Sequence, residues 1–273
     1  MEEKDLKKMV QEKYSQIAID NRKSTCCCSG PAKTDIYNIQ SGDYTKLNGY
    51  EQDADLGLGC GLPTKFAGLK EGDTVVDLGS GAGNDCFVAR AEVGESGKVI
   101  GVDFSSPMIA KARENAQKRG YSNVEFRQGD IEDMPVGGNS VDVVISNCVL
   151  NLLPSKDKIF HEIFRVLKPG GHFCISDVVA LGSMPEGLRQ AAEMYVGCIA
   201  GAIPKSEYMD KILDAGFVGL EVMKESPIEI PDEILSQYLN PAEVEEFKRG
   251  GSSVFSVTVV GSKSGCGCKS GCC

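Results

Sequence analysis

Short apolar runs alternate with amphipathic segments through the middle of the chain. Residues 74–78, 98–103 and 141–146 are rich in Val and Ile and are bounded by turn residues, which is typical of buried strands. The segments between them favour helices, and one of these begins at Ser106-Pro107, with Ser106 as the expected N-cap. Strands that alternate with helices predict an α/β fold with a mostly parallel sheet and helices on both of its faces.

The same pattern extends toward both ends of the chain. It predicts further strands at 124–127, 172–178, 218–222 and 253–260, and further helices at 4–19, 84–93, 155–167, 186–199, 205–215, 231–239 and 241–248. Residues 20–45 are polar and predict an irregular arm. Residues 261–273 are rich in Gly, Ser, Lys and Cys and predict a disordered tail. Glu221 and Glu225 are expected on a solvated face.

The charge of the chain narrows the range of partners. Its 273 residues include 29 Lys and Arg against 39 Asp and Glu, a net charge of −10, which disfavours a nucleic-acid partner and repels anionic substrates. No apolar run is long enough to cross a bilayer, and the first residues lack the apolar core of a signal peptide, so we expect a cytoplasmic protein without a membrane partner. Twelve Cys in such a protein indicate metal binding or catalysis rather than disulfides.

A glycine-rich loop follows the first strand and precedes a helix. It reads Asp77-Leu78-Gly79-Ser80-Gly81-Ala82-Gly83, and its glycines allow a ligand to approach the backbone closely. Asp103 ends the second strand, where an acidic side chain can bind ribose hydroxyls. Because position 84 is Asn and no Gly-Lys-Ser/Thr follows, the loop matches neither the dinucleotide-binding motif nor a P-loop. A tight turn without a ligand would leave Asp77 and Asp103 unexplained.

The loop resembles the glycine motif of class I S-adenosylmethionine-dependent methyltransferases. The resemblance runs from about Asp73 to Val179 and includes residues 129–131 and 165–171. It implies a Rossmann-like, seven-stranded sheet whose last strand is antiparallel, with S-adenosylmethionine as cofactor. The cofactor-binding residues that it implies are Asp77, Gly79, Ser80, Gly81, Gly83, Asp85, Asp103, Phe104, Met108, Asp130, Ile131 and Asn147.

Three cysteines lie in segments that can converge on the cofactor side of the sheet. Cys60 precedes the first strand, Cys148 follows the fourth, and Cys198 is expected at the end of the helix after the fifth. A buried Cys is often only a small apolar residue, and we assign Cys86 and Cys174 to the core on that ground. The three are not in C-x-x-C pairs, so a zinc ribbon or a redox dithiol is a poor match.

Residues 57–61, 146–152 and 197–202 resemble the three cysteine segments of arsenite methyltransferases. That resemblance implies that Cys60, Cys148 and Cys198 bind As(III), and thiolates do select soft, thiophilic centres. It further implies that one of Cys26, Cys27 and Cys28 matches an additional N-terminal cysteine, used in substrate delivery or disulfide exchange. A thiol such as thioredoxin or glutathione would then be the reductant.

These expectations divide the chain into four segments. They are a helix and Cys-containing arm (1–50), a methyltransferase core (51–182), an arsenic-binding cap of α+β structure with the last strands (183–260) and a Cys-rich tail (261–273). The tail either captures arsenite or a similar soft ion, or is a disordered end. Two other functions stay open: a methyltransferase with a carbon or oxygen acceptor such as a quinone, and a non-catalytic protein that binds arsenite or a soft metal.

Overall fold

Seven strands form a single sheet in the computed structural model, which describes residues 3–20, 43–182, 184–190, 198–251 and 253–265. The strands are β1 (Thr74–Leu78), β2 (Lys98–Asp103), β3 (Val124–Gln128), β4 (Val141–Asn147), β5 (Leu167–Leu181), β6 (Val218–Ile228) and β7 (Ser253–Ser262). Their order in space is β3-β2-β1-β4-β5-β7-β6. The five strands from β3 to β5 are parallel, and β7 lies antiparallel between β5 and β6. The Rossmann-like fold with an antiparallel last strand is therefore confirmed.

Apart from a short helix at Pro63–Phe66, which was not predicted, the α-helices of the described residues follow the predicted pattern. They are α1 (Glu3–Asp20), α2 (Pro63–Phe66), α3 (Asn84–Val93), α4 (Ser106–Arg119), α5 (Lys156–Val166), α6 (Glu186–Gln190), α7 (Lys205–Asp214), α8 (Asp232–Tyr238) and α9 (Pro241–Glu246). The predicted N-cap at Ser106 is wrong by one residue, because the Ser105 hydroxyl accepts the Met108 N–H and Ser106 is already helical. Of the helix predicted over 186–199, α6 is described, and residues 191–197 lie outside the described part.

The position of the crevice follows from the strand order. β1 pairs with β2 on one side and with β4 on the other, so the chain leaves β1 and β4 in opposite directions across the sheet. In open α/β sheets such a switch point opens a ligand crevice beyond the carboxyl ends of the strands. Leu78 and Asn147 end the two strands here, which places the glycine-rich loop and Cys148 at the same edge.

Apolar side chains cover both faces of the sheet. α5 and α7 bury Ile159, Phe160, Ile163 and Ile212 on one face, and α3 and α4 bury Phe87, Val93, Ile109 and Ala112 on the other. Cys86 and Cys174 are fully buried within the second of these clusters, which confirms their assignment to the core. The described residues contain no helix that is long and apolar enough to span a membrane.

Candidate active site

Two adjoining clefts open at the carboxyl ends of β1, β2 and β4. The first has a volume of about 620 Å³, part of it open to solvent, and lies over the glycine-rich loop. The second has about 450 Å³ and lies beside the ends of β2 and β3. They share Tyr14, Gly79, Val149 and Leu152 as lining residues, so they form one elongated site.

The glycine-rich loop turns through left-handed backbone conformations. Gly79, Gly81 and Gly83 have φ angles of 65°, 50° and 99°. A Cβ at Gly79 would lie 2.5 Å from a methyl group of Val149, whereas a Cβ at Gly81 would meet no heavy atom within 4 Å. Since Gly81 lines the first cleft, this open space is where a ligand can approach the backbone.

Three carboxyl groups surround the first cleft and its junction with the second. Burial raises the pKa of Asp77 well above its usual value, and the nearby Asp85 raises it further. Burial also raises the pKa of Asp85 and of Asp103 to about 6 in each case. Their hydrogen-bond partners are neutral: the Cys86 thiol for Asp77, Tyr44 and Asn147 side chains for Asp85, and backbone N–H groups for Asp103. A cationic ligand would therefore be stabilised here.

Asn147 connects this cleft to the loop that carries Cys60. Its side-chain oxygen accepts the backbone N–H of Cys60 at 3.0 Å and that of Gly61 at 3.2 Å. Its side-chain nitrogen contacts the hydroxyl of Tyr44 at 2.6 Å and a carboxylate oxygen of Asp85 at 3.2 Å. One amide at the end of β4 thus fixes the position of a cysteine relative to a carboxylate of the cleft.

Cys60, Cys148 and Cys198 come together beside the first cleft. The thiol of Cys148 contacts those of both Cys60 and Cys198, and all three side chains are buried. The Cys198 thiol also donates to the carbonyl oxygen of Cys148 at 2.8 Å. Cys148 lines the cleft itself, so the group of thiols adjoins the cleft through this residue. Three separate segments of the chain therefore converge on one point.

The backbone is strained at two of these three cysteines. Among the described residues only Asn139, Cys148 and Cys198 have positive φ without being glycine, with 59° at Cys148 and 64° at Cys198. A left-handed conformation is unfavourable for a residue with a Cβ and persists only where the surrounding structure imposes it. Contrary to the prediction, Cys198 lies in a turn, within residues 198–201.

The environment of Cys60 and Cys148 disfavours their thiolate forms. Burial raises the pKa of Cys60, and contacts with the thiols of Cys198 and Cys60 raise that of Cys148 well above its usual value. Apolar residues enclose the group, among them Val10, Leu152, Val178 and Ile199. In the described part of the chain, no group of three Cys, His, Asp or Glu side chains is arranged so that it could hold a metal ion. The thiols of Cys60 and Cys148 therefore lie against each other as neutral groups.

A buried polar group lies behind the thiols. Asp177 on β5 accepts the Tyr208 hydroxyl at 3.3 Å, and burial raises its pKa to about 6. Lys156 donates to the carbonyl oxygen of Gly201 at 2.9 Å, and burial lowers its pKa. The opposite charges of Lys156 and Asp177 stabilise each other across this interior, so the group adds little net charge near the thiols.

Most of the predicted cofactor residues line the two clefts. Asp77, Gly79, Ser80, Gly81, Asp85 and Asn147 line the first, and Asp103, Phe104, Asp130 and Ile131 line the second. Gly83 and Met108 line neither: Gly83 is the N-cap of α3, and Met108 is buried beneath α4. Tyr14, Tyr44 and Asp55 also line the site, although no sequence motif marks them. Cys26, Cys27, Cys28 and the cysteines from 266 onward lie outside the described residues.

Comparison with known proteins agrees with this geometry. A methyltransferase domain family matches residues 69–216. An arsenite methyltransferase of Halobacterium salinarum is 41% identical over 261 residues, which is 89% of this chain and 67% of that protein. An arsenite methyltransferase of Aquipseudomonas alcaligenes is 39% identical over 67% of this chain and 55% of that protein.

A solved structure extends the comparison to the fold. An arsenic(III) S-adenosylmethionine methyltransferase from Chlamydomonas reinhardtii is 34% identical, with a TM-score of 0.63. The alignment covers 74% of this chain and 66% of that one. This chain thus spans between about half and two thirds of the length of these relatives.

Proposed function

This chain belongs to the arsenite methyltransferase family of S-adenosylmethionine-dependent methyltransferases, and from that premise we propose that it methylates trivalent arsenic. The observation that carries the proposal is the convergence of Cys60, Cys148 and Cys198 beside a cleft lined by carboxylates. In this proposal As(III) is the substrate, held by the three thiolates. The methylated arsenicals are the products, and detoxification of arsenic is the biological role.

The cleft fits S-adenosylmethionine. Asp77, Asp85 and Asp103 suit a ligand that carries a sulfonium and an ammonium group, because all three have neutral partners and raised pKa values. Gly81 leaves open space where the ligand passes the loop. Asp103 lies where its carboxylate can accept hydrogen bonds from ribose hydroxyls. When bound, the cofactor supplies an electrophilic methyl group. The chain's own residues hold and orient it.

The neutral thiols of Cys60 and Cys148 suit arsenite, which is itself neutral as As(OH)₃. Each thiol that bonds to arsenic releases its proton to a departing hydroxyl, which leaves as water. The bound form therefore carries no net charge, and the apolar wall of Val10, Leu152 and Ile199 favours it. Three sulfur ligands leave the lone pair of arsenic free to point toward the cleft that Cys148 lines. The protein then contributes chiefly position, which is worth up to about 7–11 kcal/mol in well-aligned reactions.

Turnover in this proposal needs a reductant. Transfer of a methyl cation to the lone pair of As(III) formally oxidises arsenic by two electrons. Two thiols can return these electrons and form a disulfide. We propose thioredoxin or glutathione as their source, acting in a reducing cytoplasm, with one of Cys26, Cys27 and Cys28 in the exchange. The Cys-rich tail, if it has a role, would capture arsenite before it enters the site.

The two alternative functions find less support. A carbon or oxygen acceptor such as a quinone gives no role to three converging thiols or to the strained backbone at Cys148 and Cys198. A protein that only binds arsenite would not need Cys148 in the wall of the cofactor cleft.

Product analysis tests the proposal. The purified protein is incubated with methyl-labelled S-adenosylmethionine, arsenite and a thiol, and methylarsenicals are separated by chromatography with elemental detection. We expect labelled methylarsenicals from the wild type. Cys148→Ala should lower the rate by roughly 100-fold or more, since misplacement of a reacting atom alone can cost about that much.

Cys174→Ala is the matched control for this substitution. Cys174 is equally a buried thiol, but it belongs to a different apolar cluster from the three thiols and donates to the carbonyl oxygen of Pro63. It should retain activity close to that of the wild type. Cofactor binding without any methylarsenical from the wild type would refute the proposal and favour the carbon or oxygen acceptor.

A further inference from the structure

α1 lies across the cofactor site rather than at its edge. Tyr14 lines both clefts and is one of the few residues that they share. Val10, on the same helix, is fully buried and belongs to the apolar cluster that includes Cys60, Cys148 and Cys198. The helix therefore contacts the surroundings of the cofactor and of the thiols at the same time, although the glycine motif begins more than 50 residues later in the chain.

Polar contacts hold α1 against the loops that line the second cleft. Gln11 donates to the carbonyl oxygen of Phe104 at 2.8 Å, and the hydroxyls of Ser15 and Ser105 lie 3.0 Å apart. Phe104 follows Asp103 directly and lines the second cleft. These contacts fix the helix to the segment between β2 and α4, so that Tyr14 is placed over the junction of the two clefts.

Lys7 reaches a carboxylate of the second cleft. Its ammonium group lies 2.6 Å from Asp130 and also contacts Glu132, and Asp130 accepts the backbone N–H of Glu132 at 2.9 Å. Burial works against the charge of Lys7, but its hydrogen bonds to both carboxylates raise its pKa overall. Lys7 thus neutralises two acidic groups and fixes the orientation of Asp130, which lines the cleft beside Ile131.

From these contacts we propose that α1 forms part of the cofactor site. Tyr14 contacts the bound cofactor, and Lys7 orients Asp130. The proposal rests on the proposed cofactor but not on arsenic as acceptor. Tyr14 is a binding residue, whereas Lys7 acts through Asp130 and is a positioning residue. A nucleoside-bearing ligand that spans both clefts passes beneath Tyr14, since this side chain lines each of them.

Ligand binding without arsenic tests the proposal. The full chain is titrated calorimetrically with S-adenosylhomocysteine, and the thermal midpoint of the ligand-free protein is measured in parallel. Tyr14→Ala should weaken binding by about tenfold, the equivalent of about 1.4 kcal/mol, through loss of aromatic contact with the ligand. Lys7→Gln should weaken it by about threefold to tenfold, with less loss at high salt, because the charge pairs are partly exposed.

Lys8→Gln is the matched control for Lys7→Gln. Lys8 is the next residue on the same helix, is 73% exposed at its side chain and pairs only loosely with Glu12, at 3.9 Å. It should leave affinity unchanged. Equal affinities of wild type, Tyr14→Ala, Lys7→Gln and Lys8→Gln would overturn the proposal.

Amide hydrogen exchange supplies a readout that does not depend on any variant. Saturating S-adenosylhomocysteine should slow exchange in residues 6–18 of the wild type, because the ligand would add contacts beneath α1. If exchange in this helix does not change while the glycine-rich loop becomes protected, α1 is only a structural support and the proposal fails. Absence of arsenic methylation would refute the proposed function but would leave this inference standing if the ligand protects α1.

Discussion

The active site has a cofactor half, around the glycine-rich loop, and a thiol half, around Cys60, Cys148 and Cys198. Both halves use left-handed backbone, but for opposite purposes. In the cofactor half the left-handed residues are Gly79, Gly81 and Gly83, and the missing side chain at Gly81 leaves room for a ligand. In the thiol half the left-handed residues are Cys148 and Cys198, whose side chains are the proposed ligands of arsenic. The strain of such a residue costs about 1–3 kcal/mol, and the chain avoids it where it can use glycine.

The two halves also differ in polarity. Buried carboxylates and amide groups line the cofactor half, while apolar side chains such as Val178 and Ile199 enclose the thiols. The first environment suits a cation and the second suits neutral arsenite. The comparison therefore indicates that each half recognises its ligand by a different physical property, charge in one and soft covalent bonding in the other.

The largest effect should come from filling the space at Gly81. Gly81→Ala adds a Cβ that meets no protein atom within 4 Å, so a loss of affinity beyond the effect of backbone strain must come from contact with the ligand. We expect S-adenosylhomocysteine to bind on the order of 100-fold more weakly, since a misplaced contact can cost that much. Calorimetric titration measures the change.

Gly120→Ala is the control that separates strain from ligand contact. Gly120 has a φ of 68°, an equally open surrounding and a place at the end of α4 away from both clefts. Both substitutions should lower the free energy of unfolding by about 1 kcal/mol, because both put a Cβ on left-handed backbone. Only Gly81→Ala should lower affinity. Equal affinities of the two variants would show that the ligand does not contact the loop at Gly81.

The contribution of charge should appear in the pH dependence of cofactor affinity. Asp103 has a pKa of about 6 in the ligand-free protein and is ionised above it. Affinity for S-adenosylmethionine should fall as the pH drops below about 6, by up to about tenfold per pH unit for each carboxylate involved. Asp103→Asn should bind more weakly at pH 7 and show a shallower dependence, since Asp85 with its similar pKa remains.

As the pH falls, cofactor affinity should decrease, but the contribution of Asp103 to the stability of the ligand-free protein should increase. The folded pKa of Asp103 lies above its unfolded value of 3.8, so the wild type gains stability from this group as pH falls from about 6 to about 4. Asp103→Asn lacks this gain. Unfolding in denaturant at pH 7, 6, 5 and 4 measures it, and a difference between wild type and variant that does not depend on pH would contradict the prediction.

How far the sequence predicts the fold depends on where each element obtains its stability. The bounds of β1, α3 and β2 are as predicted, because each is a short buried run between turn residues. β6 was predicted to end at Val222 but continues to Ile228, through exposed and polar residues. This extension is held by pairing with β7 and not by a hydrophobic pattern of its own. β5 likewise begins at Leu167 and not at His172.

The site shows the same division between local and tertiary information. The glycine-rich loop and the three thiols carry motifs, and the structure brings them together. Tyr14 and Tyr44 belong to segments without a motif and reach the clefts only through the packing of α1 and of residues 43–50 against the core. The strain at Cys148 and Cys198 is likewise invisible in the sequence, since φ depends on the surrounding structure.

The smallest expected effect is a difference in stability between Gly and Ala variants of the three cysteines, and it is the most direct test of that strain. At Cys148 and Cys198 the Gly variant should be more stable than the Ala variant by about 1 kcal/mol, because glycine adopts left-handed backbone without cost. At Cys60, whose φ is not positive, the order should reverse, with Ala more stable than Gly by roughly 0.5–1 kcal/mol. Denaturant unfolding of the six ligand-free variants measures both differences. Each pair loses the same thiol, so packing largely cancels and only the backbone term remains. If Ala were the more stable at all three positions, the left-handed cysteines would not be strained, and the contrast between the two halves would reduce to polarity alone.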